Sequence, residues 1–259
     1  MSRVAMLDVQ LIGHTVFTPP SAAGEDGARR PLFEPDDANL DEHDLRFDGQ
    51  ALAEFGGRLC YWSFDRPNAK TATNADYLLN ILRQRHGSVL EHASVSFYLA
   101  GVSRSLTHEL VRHRHFSFSQ LSQRYVDSAT AKMVMPPAFE GDADLTSAAA
   151  CDFILAVSAY DEDVARLESK GLSKKQIREA ARHSLPNSTE TRLVVTGNYR
   201  AWIEFLVKRD NPAADAEIQR LAREIGAQLA VHAPNVFDVE ARAVWDDSAA
   251  QEPAREVKP

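Results

Sequence analysis

The segment from residue 104 to residue 124 concentrates side chains that bind anions. It holds four arginines and a single acid, Glu109, so its net charge is +3 in a chain whose net charge is −8. The arginines are Arg104, Arg112, Arg114 and Arg124. An arginine presents a planar fork of N–H groups that suits phosphate, and the interleaved serines and glutamines add neutral donors and acceptors. The composition favours a site for a phosphorylated ligand; a solvated polar helix end is the alternative interpretation.

Two further polar clusters fall at predicted element boundaries. Arg178, Arg182 and His183 stand just before a Leu-Pro pair. Asn198-Tyr199-Arg200 lies where a predicted strand gives way to a helix, a common place for ligand contacts because backbone N–H groups are free there. Arg209 closes that helix, and taken alone its simplest role is to complement the negative end of the helix dipole.

Signatures of other chemistries are missing from the sequence. There is no Gly-x-x-x-x-Gly-Lys-Ser/Thr phosphate loop, no Gly-x-Gly-x-x-Gly turn and no Gly-x-Ser-x-Gly elbow. His108 and His113 would lie about 140° apart on a helix, and no His-Glu-x-x-His motif occurs, so we expect no metal site. Cys60 and Cys151 have no obvious basic partner, so we interpret both as structural and expect no cysteine nucleophile.

Patterning in the first part of the chain predicts a strand, a loop and a helix. Aliphatic residues over 4–12 favour a strand. Residues 18–46, rich in proline, glycine and acids, are interpreted as a long, poorly ordered polar loop. A helix is predicted over 49–61, with its apolar face at Leu52, Phe55 and Leu59.

The middle of the chain is predicted to alternate helices with strands. Asn74 is expected to cap a helix that ends near His86-Gly87, and residues 92–99 alternate like a strand. Ser103 can cap the next helix, and residues 116–125 are interpreted as a loop leading into a short strand. Buried positions are expected at Tyr77, Leu78, Ile81, Leu82, Val95, Phe97, Leu99, Leu106 and Leu110.

The last part of the chain reads as helices around one strand. Residues 146–185 predict two helices broken at Gly171, the second capped by Ser173 and stopped before Pro186. A strand over 191–197, helices over 199–209 and 214–231, and a disordered polar tail over 248–259 complete the pattern. Strands separated by helices predict one α+β domain over residues 1–247.

Length and composition describe a globular protein. The 259 residues (28.7 kDa) are 44% hydrophobic and 25% charged, which excludes a disordered or fibrous chain. A pI of about 5.6 disfavours nucleic acid as a partner. No stretch approaches the ~18 apolar residues of a membrane span, and two cysteines give no disulfide framework, so we expect a cytoplasmic protein.

The spacing of the basic segment resembles a known signature. Arg112-His113-Arg114, seven residues and then Ser122 resembles the signature of the flavin-dependent thymidylate synthases. The stretches 86–92 and 181–186, Asn198-Tyr199-Arg200 and Arg209 add to the resemblance, which covers roughly residues 4–240. It implies an α+β domain around a central twisted antiparallel sheet flanked by helices, assembled as a homotetramer with active sites at subunit interfaces.

The resemblance also implies a reaction and its partners. An enzyme of this kind converts dUMP to dTMP with methylenetetrahydrofolate as carbon donor, FAD as redox carrier and NADPH as reductant. The lack of a plausible cysteine nucleophile agrees with this flavin route.

Residue roles follow from the resemblance position by position. The FAD-contacting positions are Ser88, Arg112, His113, Arg114, Gln120, Asn198, Tyr199, Arg200 and Glu204. The dUMP-contacting positions are Glu109, Leu110, Val111, Arg112, Gln120, Leu121, Ser122, Gln123, Arg124, Arg182 and Arg209. Arg209 matches the catalytic arginine that favours ionised N3 of the uracil, and His86 matches a histidine near the flavin.

Two positions depart from the family pattern. Glu204 stands where relatives tend to carry Asn or His, and Pro212 follows Arg209 in a stretch where many relatives carry His. Two other functions are weighed against the enzyme. One is a flavin- or nucleotide-binding protein of the same fold without turnover, which the intact Arg209 and Ser122 argue against. The other is a nucleic-acid binder, which fits poorly with the acidic pI.

Overall fold

Helices and strands alternate along the protein, as seen in a computed structural model that describes residues 3–24, 26–34 and 48–250, the last three by backbone alone. The strands are β1 (Asp8–His14), β2 (Ser21–Ala23), β3 (Arg29–Pro31), β4 (Ser94–Ser103), β5 (Ser117–Gln120) and β6 (Glu190–Asn198). The helices are α1 (Asp48–Tyr61), α2 (Asn74–Arg83), α3 (Arg104–Leu110), α4 (Ala143–Glu168), α5 (Lys174–Ala181), α6 (Tyr199–Arg209), α7 (Ala216–His232), α8 (Pro234–Phe237) and α9 (Val239–Ala250). The predicted mixture of helix and sheet is therefore confirmed.

Four strands form an antiparallel sheet in the order β1-β4-β6-β5. The predicted alternation of β4 is confirmed, because Val95, Phe97 and Leu99 are all fully buried. On the opposite face of the sheet, the hydroxyls of Ser96 and Thr196 lie 2.7 Å apart across the β4–β6 pair. The homotetramer that the resemblance implies stays a prediction.

The chain divides into two compact units, each built from three segments. Unit 1 comprises Met1–Gln10, Phe97–Val195 and Pro212–Leu221. Unit 2 comprises Leu11–Ser96, Thr196–Asn211 and Ala222–Pro259. The prediction of one domain over residues 1–247 is not tested by this division, since strands β4 and β6 each contribute residues to both units.

Helix α1 packs through small and charged residues rather than through the predicted apolar face. Gly57 has no room for a side chain, because a Cβ there would lie 2.2 Å from the Tyr77 hydroxyl. Beside it, Arg58 donates from Nε to the fully buried Glu54 carboxylate at 2.6 Å. This arrangement turns Leu59 to the solvent, so its predicted burial is wrong.

The ends of α2 differ from those predicted, although its predicted buried residues are all confirmed. Thr73, not Asn74, caps the helix by accepting from the Asp76 N–H. The Asn74 amide instead donates to the buried Glu54 carboxylate at 2.8 Å. The left-handed residue beyond the helix is Arg85 (φ 58°) rather than Gly87, which begins a short 3-10 turn.

Other predictions are corrected at the chain's irregular segments. Within the predicted loop 18–46, β2 and β3 form an antiparallel hairpin; residue 25 and residues 35–47 lie outside the described part. Residues 116–125 are predicted as a loop that leads into a short strand, but strand β5 (Ser117–Gln120) lies at the start of this segment and the turn follows it. The predicted tail begins too early, since α9 runs to Ala250; residues 251–259 lie outside the described part. Cys60 and Cys151 are both exposed rather than packed in the interior.

Helix α4 is the one described helix whose length and mean hydropathy alone would allow it to cross a membrane. Phe153, Val157 and Tyr160 on this helix are nevertheless buried inside the protein. A surface helix with one face in a protein core satisfies the same length and composition criteria.

Candidate active site

The start of α3 is held by a carboxylate that is distant in sequence. Ser103 caps α3 as predicted, with its Oγ accepting from the Leu106 N–H at 3.0 Å. Glu217, at the start of α7, accepts from the Ser103 N–H at 2.8 Å and from its Oγ at 2.7 Å. Burial raises the pKa of Glu217 above its ordinary value. Helix α3, which carries Glu109 and Leu110, is thus fixed at its N-cap residue.

The signature residues follow α3 in a compact turn. Leu110 is buried and anchors the end of the helix, whereas Val111, Arg112 and Arg114 are exposed. The His113 N–H donates to the Leu110 carbonyl at 3.1 Å, and the His113 ring stacks on Phe116. The turn therefore projects both arginine side chains outward while its backbone is fixed.

Strand β5 and the turn after it carry most of the remaining dUMP-matching positions. The Gln120 amide donates to the hydroxyls of Thr107 at 3.4 Å and Thr191 at 3.3 Å. Past the strand, the Ser122 Oγ accepts from the Arg124 N–H at 3.4 Å. Leu121 is exposed, and Gln123 is half-buried.

Arg104 and Arg182 form a pair of like charges. Arg104 is the first residue of α3, and Arg182 follows the last residue of α5. Burial, and then the positive charge of Arg182, lower the pKa of Arg104. Two guanidinium groups whose positive charges repel each other favour an anion between or beside them. Sequence reasoning placed Arg104 in the basic segment but did not assign it a ligand.

Ion pairing separates these arginines from most others in the protein. At least twelve lysines and arginines of the described residues lie within 4.0 Å of a carboxylate: Arg30, Arg58, Arg66, Arg83, Arg166, Arg178, Arg192, Arg200, Lys208, Arg220, Arg223 and Arg242. In that same described part, Arg104, Arg112, Arg114, Arg124 and Arg182 have no such partner, and we call them the unpaired arginines. All five belong to unit 1. An acidic chain that leaves these charges without carboxylates is suited to bind anions there.

In unit 2, the junction of β6 and α6 holds three FAD-matching positions in different ways. The Asn198 Oδ1 caps α6 by accepting from the Ala201 N–H at 2.8 Å. Tyr199 is only 1% exposed, and burial together with Asp48 raises the pKa of its hydroxyl. Any ligand contact of Tyr199 is therefore restricted to its backbone. Arg200 is exposed and pairs with Glu91 at 2.5 Å.

Ser88 and Arg200 come to one surface through Gly87. The 3-10 turn that contains Ser88 packs against α6, and the Arg200 side chain lies 3.5 Å from where a Gly87 Cβ would be. Ser88 and the adjacent His86 are both exposed. One turn further along α6, Glu204 pairs with Lys208, so the departure at this position places a carboxylate whose charge is balanced within the helix.

Arg209 ends α6 beside an anchored aspartate. The Asp210 carboxylate accepts from Arg223 Nε at 3.1 Å and from Arg242 Nη2 at 2.6 Å, which fixes the chain before Pro212. Nine residues separate Arg200 from Arg209, which is about 13 Å along the helix and half a turn around it. Within unit 2, the helix therefore does not bring these two predicted residues together.

The predicted site residues thus fall into two groups. Unit 1 holds residues 109–114, residues 120–124 and Arg182, together with Arg104, to which the sequence assigned no ligand, and Glu217, which the sequence did not single out. Unit 2 holds Ser88, residues 198–200, Glu204 and Arg209. Among the described residues no group of three or more His, Cys, Asp or Glu side chains could hold a metal ion.

Comparison with known proteins gives one consistent family. A family model described as thymidylate synthase complementing protein matches residues 44–235. A flavin-dependent thymidylate synthase of Mycobacterium tuberculosis (strain ATCC 25618 / H37Rv) is 50% identical over 244 residues, covering 92% of this chain and 91% of that protein. Another, from Mycobacterium sp. (strain JLS), is 48% identical over 249 residues with the same coverage. The chain therefore belongs to the flavin-dependent thymidylate synthase family, whose members are enzymes with a flavin cofactor.

Proposed function

We propose that this protein converts dUMP to dTMP, with methylenetetrahydrofolate as carbon donor, NADPH as reductant and FAD as the redox cofactor. The observation that carries the proposal is the set of unpaired arginines in an acidic chain. dUMP brings a phosphate dianion and FAD brings a pyrophosphate, so the two ligands together need several cations that no carboxylate of the protein already neutralises. Membership of the family supports the flavin and the reaction type.

The dUMP phosphate is assigned to the Arg104–Arg182 pair. Both guanidinium groups lie in unit 1, and Arg104 is half-buried, so contacts to phosphate there are less screened by water. Ser122 and Arg124, in the turn after β5, add a hydroxyl and a further guanidinium group. Apart from Arg209, the remaining dUMP-matching positions belong to two segments of unit 1, 109–112 and 120–124.

FAD is assigned to residues that remain accessible in each unit. Arg112 and Arg114 fit its phosphates because they are exposed and lack a carboxylate partner in the described structure. His113, Gln120, Ser88, Asn198, Arg200, Glu204 and the Tyr199 backbone complete the assigned contacts. When bound, FAD supplies the two-electron redox chemistry, and the protein supplies position and electric field.

Arg209 is assigned to the uracil ring. Forming a bond at C5 requires an electron-rich pyrimidine, and a guanidinium beside N3 and O4 stabilises the negative charge that develops there. The carboxylate of the next residue, Asp210, binds Arg223 and Arg242. That anchoring keeps the C-terminal end of α6 in place while the Arg209 side chain contacts its ligand.

A homotetramer with active sites at subunit interfaces, located in the cytoplasm, completes the proposal. The two groups of site residues belong to different units of the chain, and residues from a neighbouring subunit are expected to contribute. Sedimentation or light scattering of the purified protein should report four copies.

The colour of the purified protein and its turnover with dUMP test the proposed function. We expect purified protein to be yellow, dUMP to change the flavin spectrum, and dUMP with methylenetetrahydrofolate to stimulate NADPH oxidation and dTMP formation. Colourless protein that FAD does not reconstitute would refute the enzyme. Yellow protein without dUMP-dependent turnover would instead favour a flavin- or nucleotide-binding protein of the same fold.

A further inference from the structure

One face of α5 carries three cations towards the dUMP-matching segment. Lys175, Arg178 and Arg182 follow each other at intervals of three and four residues, so they lie on one side of the helix and its continuation. At one end of this face is Arg182, whose positive charge lowers the pKa of Arg104. The Lys175 end, roughly 10 Å away along the helix, meets Tyr125.

Tyr125 presents an exposed ring on an anchored backbone. Its carbonyl accepts from Arg178 at 2.6 Å, and its N–H donates to the Ser122 carbonyl at 3.2 Å. The side chain is nevertheless 61% exposed. A ring whose backbone is held from both sides loses little further freedom when another ring stacks on it.

Two cations flank this ring. The Arg124 guanidinium lies 5.7 Å and the Lys175 ammonium 5.9 Å from the ring centre, both within cation–π range. Neither cation pairs with a carboxylate in the described residues, whereas Arg178, which anchors the backbone, pairs with Asp127. The structural cation is therefore neutralised, and the two cations beside the exposed ring are not.

We propose that Tyr125 and Lys175, next to the dUMP-matching Arg124, form a second anion subsite, which takes the planar ring and adjoining dianionic group of a co-substrate. The inference rests on the proposed function. Two co-substrates of that reaction share this chemistry: the aminobenzoyl-glutamate end of the folate, with two carboxylates, and the adenosine end of NADPH, with its 2′-phosphate. Arg104, Arg124 and Arg182 remain assigned to the dUMP phosphate.

Binding of fragments tests the subsite without turnover. Calorimetry would compare p-aminobenzoyl-glutamate and 2′,5′-ADP on wild-type protein and on Lys175→Met, Tyr125→Leu and Tyr125→Phe. We expect one of the two fragments to bind to wild-type protein. Lys175→Met and Tyr125→Leu should each weaken its binding about tenfold, and Tyr125→Phe should keep the wild-type affinity. Lys174→Met is the matched control, since it removes the same charge one residue away, about 100° around the helix.

Kinetics identify the source of the anion. If the folate is bound there, Lys175→Met raises the KM for methylenetetrahydrofolate; if NADPH is bound there, it raises the KM for NADPH but not for NADH. Equal effects of Lys174→Met and Lys175→Met, or binding of neither fragment to wild-type protein, would overturn the subsite. Because fragment binding does not require turnover, an inactive wild type would refute the proposed function and leave this result readable.

Discussion

Replacing Arg104 with methionine separates a ligand-binding arginine from a structural one. Methionine keeps an apolar stem of similar length and removes the charge. Arg104 has no carboxylate partner among the described residues, so its loss leaves no buried acid uncompensated. It also removes the repulsion from Arg182 that lowers the pKa of Arg104. We expect the free energy of unfolding without ligand to stay level or rise by less than about 1 kcal/mol, since the group is half-exposed and screened.

The same substitution should markedly weaken the binding of dUMP. A hydrogen bond to a charged group contributes about 1.5–3 kcal/mol, which corresponds to roughly a 10- to 150-fold rise in Kd. With dUMP at 100 times the wild-type Kd, the ligand stabilises wild-type protein by about 2.7 kcal/mol. A variant that binds 30-fold more weakly gains only about 0.9 kcal/mol at that concentration.

Urea unfolding with and without dUMP, together with calorimetry, measures both effects. Arg58→Met is the control, because it removes the buried cation 2.6 Å from the fully buried Glu54 carboxylate and leaves there only the more distant Arg66, at 3.7 Å, and the Asn74 amide; it is expected to cost about 3–5 kcal/mol without ligand. Wild-type dUMP affinity in Arg104→Met would refute the phosphate assignment. Destabilisation of Arg104→Met as large as that of Arg58→Met would show that Arg104 is structural.

Two more predictions concern residues that act on the site from different elements. Arg209→Ala should lower kcat by roughly 10²–10³ while the protein stays yellow, because charge stabilisation at the uracil is lost and the flavin contacts remain; a variant within threefold of wild type would contradict the role. Glu217→Gln should change the pH dependence of stability. Burial raises the pKa of Glu217 above 4.5, so the Glu217 carboxyl group stays protonated to a higher pH in the folded protein than in the unfolded chain. Wild-type stability relative to Glu217→Gln should therefore fall as pH rises from about 4.5 through the raised folded pKa and then level off. Urea unfolding of both proteins between pH 4 and 8 measures this difference, and a constant difference would refute the assignment.

Elements with strong local signals could be predicted from the sequence. Helix α6 has the predicted bounds, 199–209, and α5 begins with a capping box at Ser173 and Gln176. In both, a side chain next to the first turn satisfies the free backbone N–H groups, and that signal lies within a few residues. The predicted cap at Ser103 holds for the same reason.

Elements that depend on distant partners could not be predicted in this way. Asn74 is a good helix cap by type, yet the buried Glu54 carboxylate binds its amide and Thr73 takes the cap. The C-terminal helix α9 was not predicted, and Trp245 on it donates to the Val236 carbonyl at 3.1 Å. Glu217 reaches Ser103 across 114 residues of sequence. These contacts depend on the folded arrangement rather than on neighbouring residues.

The candidate site shows the same division between residue type and pairing. The sequence identified Arg112, Arg114, Arg124 and Arg182 by their spacing, but it could not show which cations of the chain are already neutralised. Residue types alone make Arg178 and Arg182 look equivalent, four positions apart on one helix face. The fold gives Arg178 a carboxylate at Asp127, whereas Arg182 has no carboxylate partner among the described residues and its charge lowers the pKa of Arg104. An overall charge of −8 is therefore a poor guide to what the protein binds, because at least twelve of its described cations are paired with acids. The anionic ligands are expected at the arginines that have no carboxylate partner in the described structure.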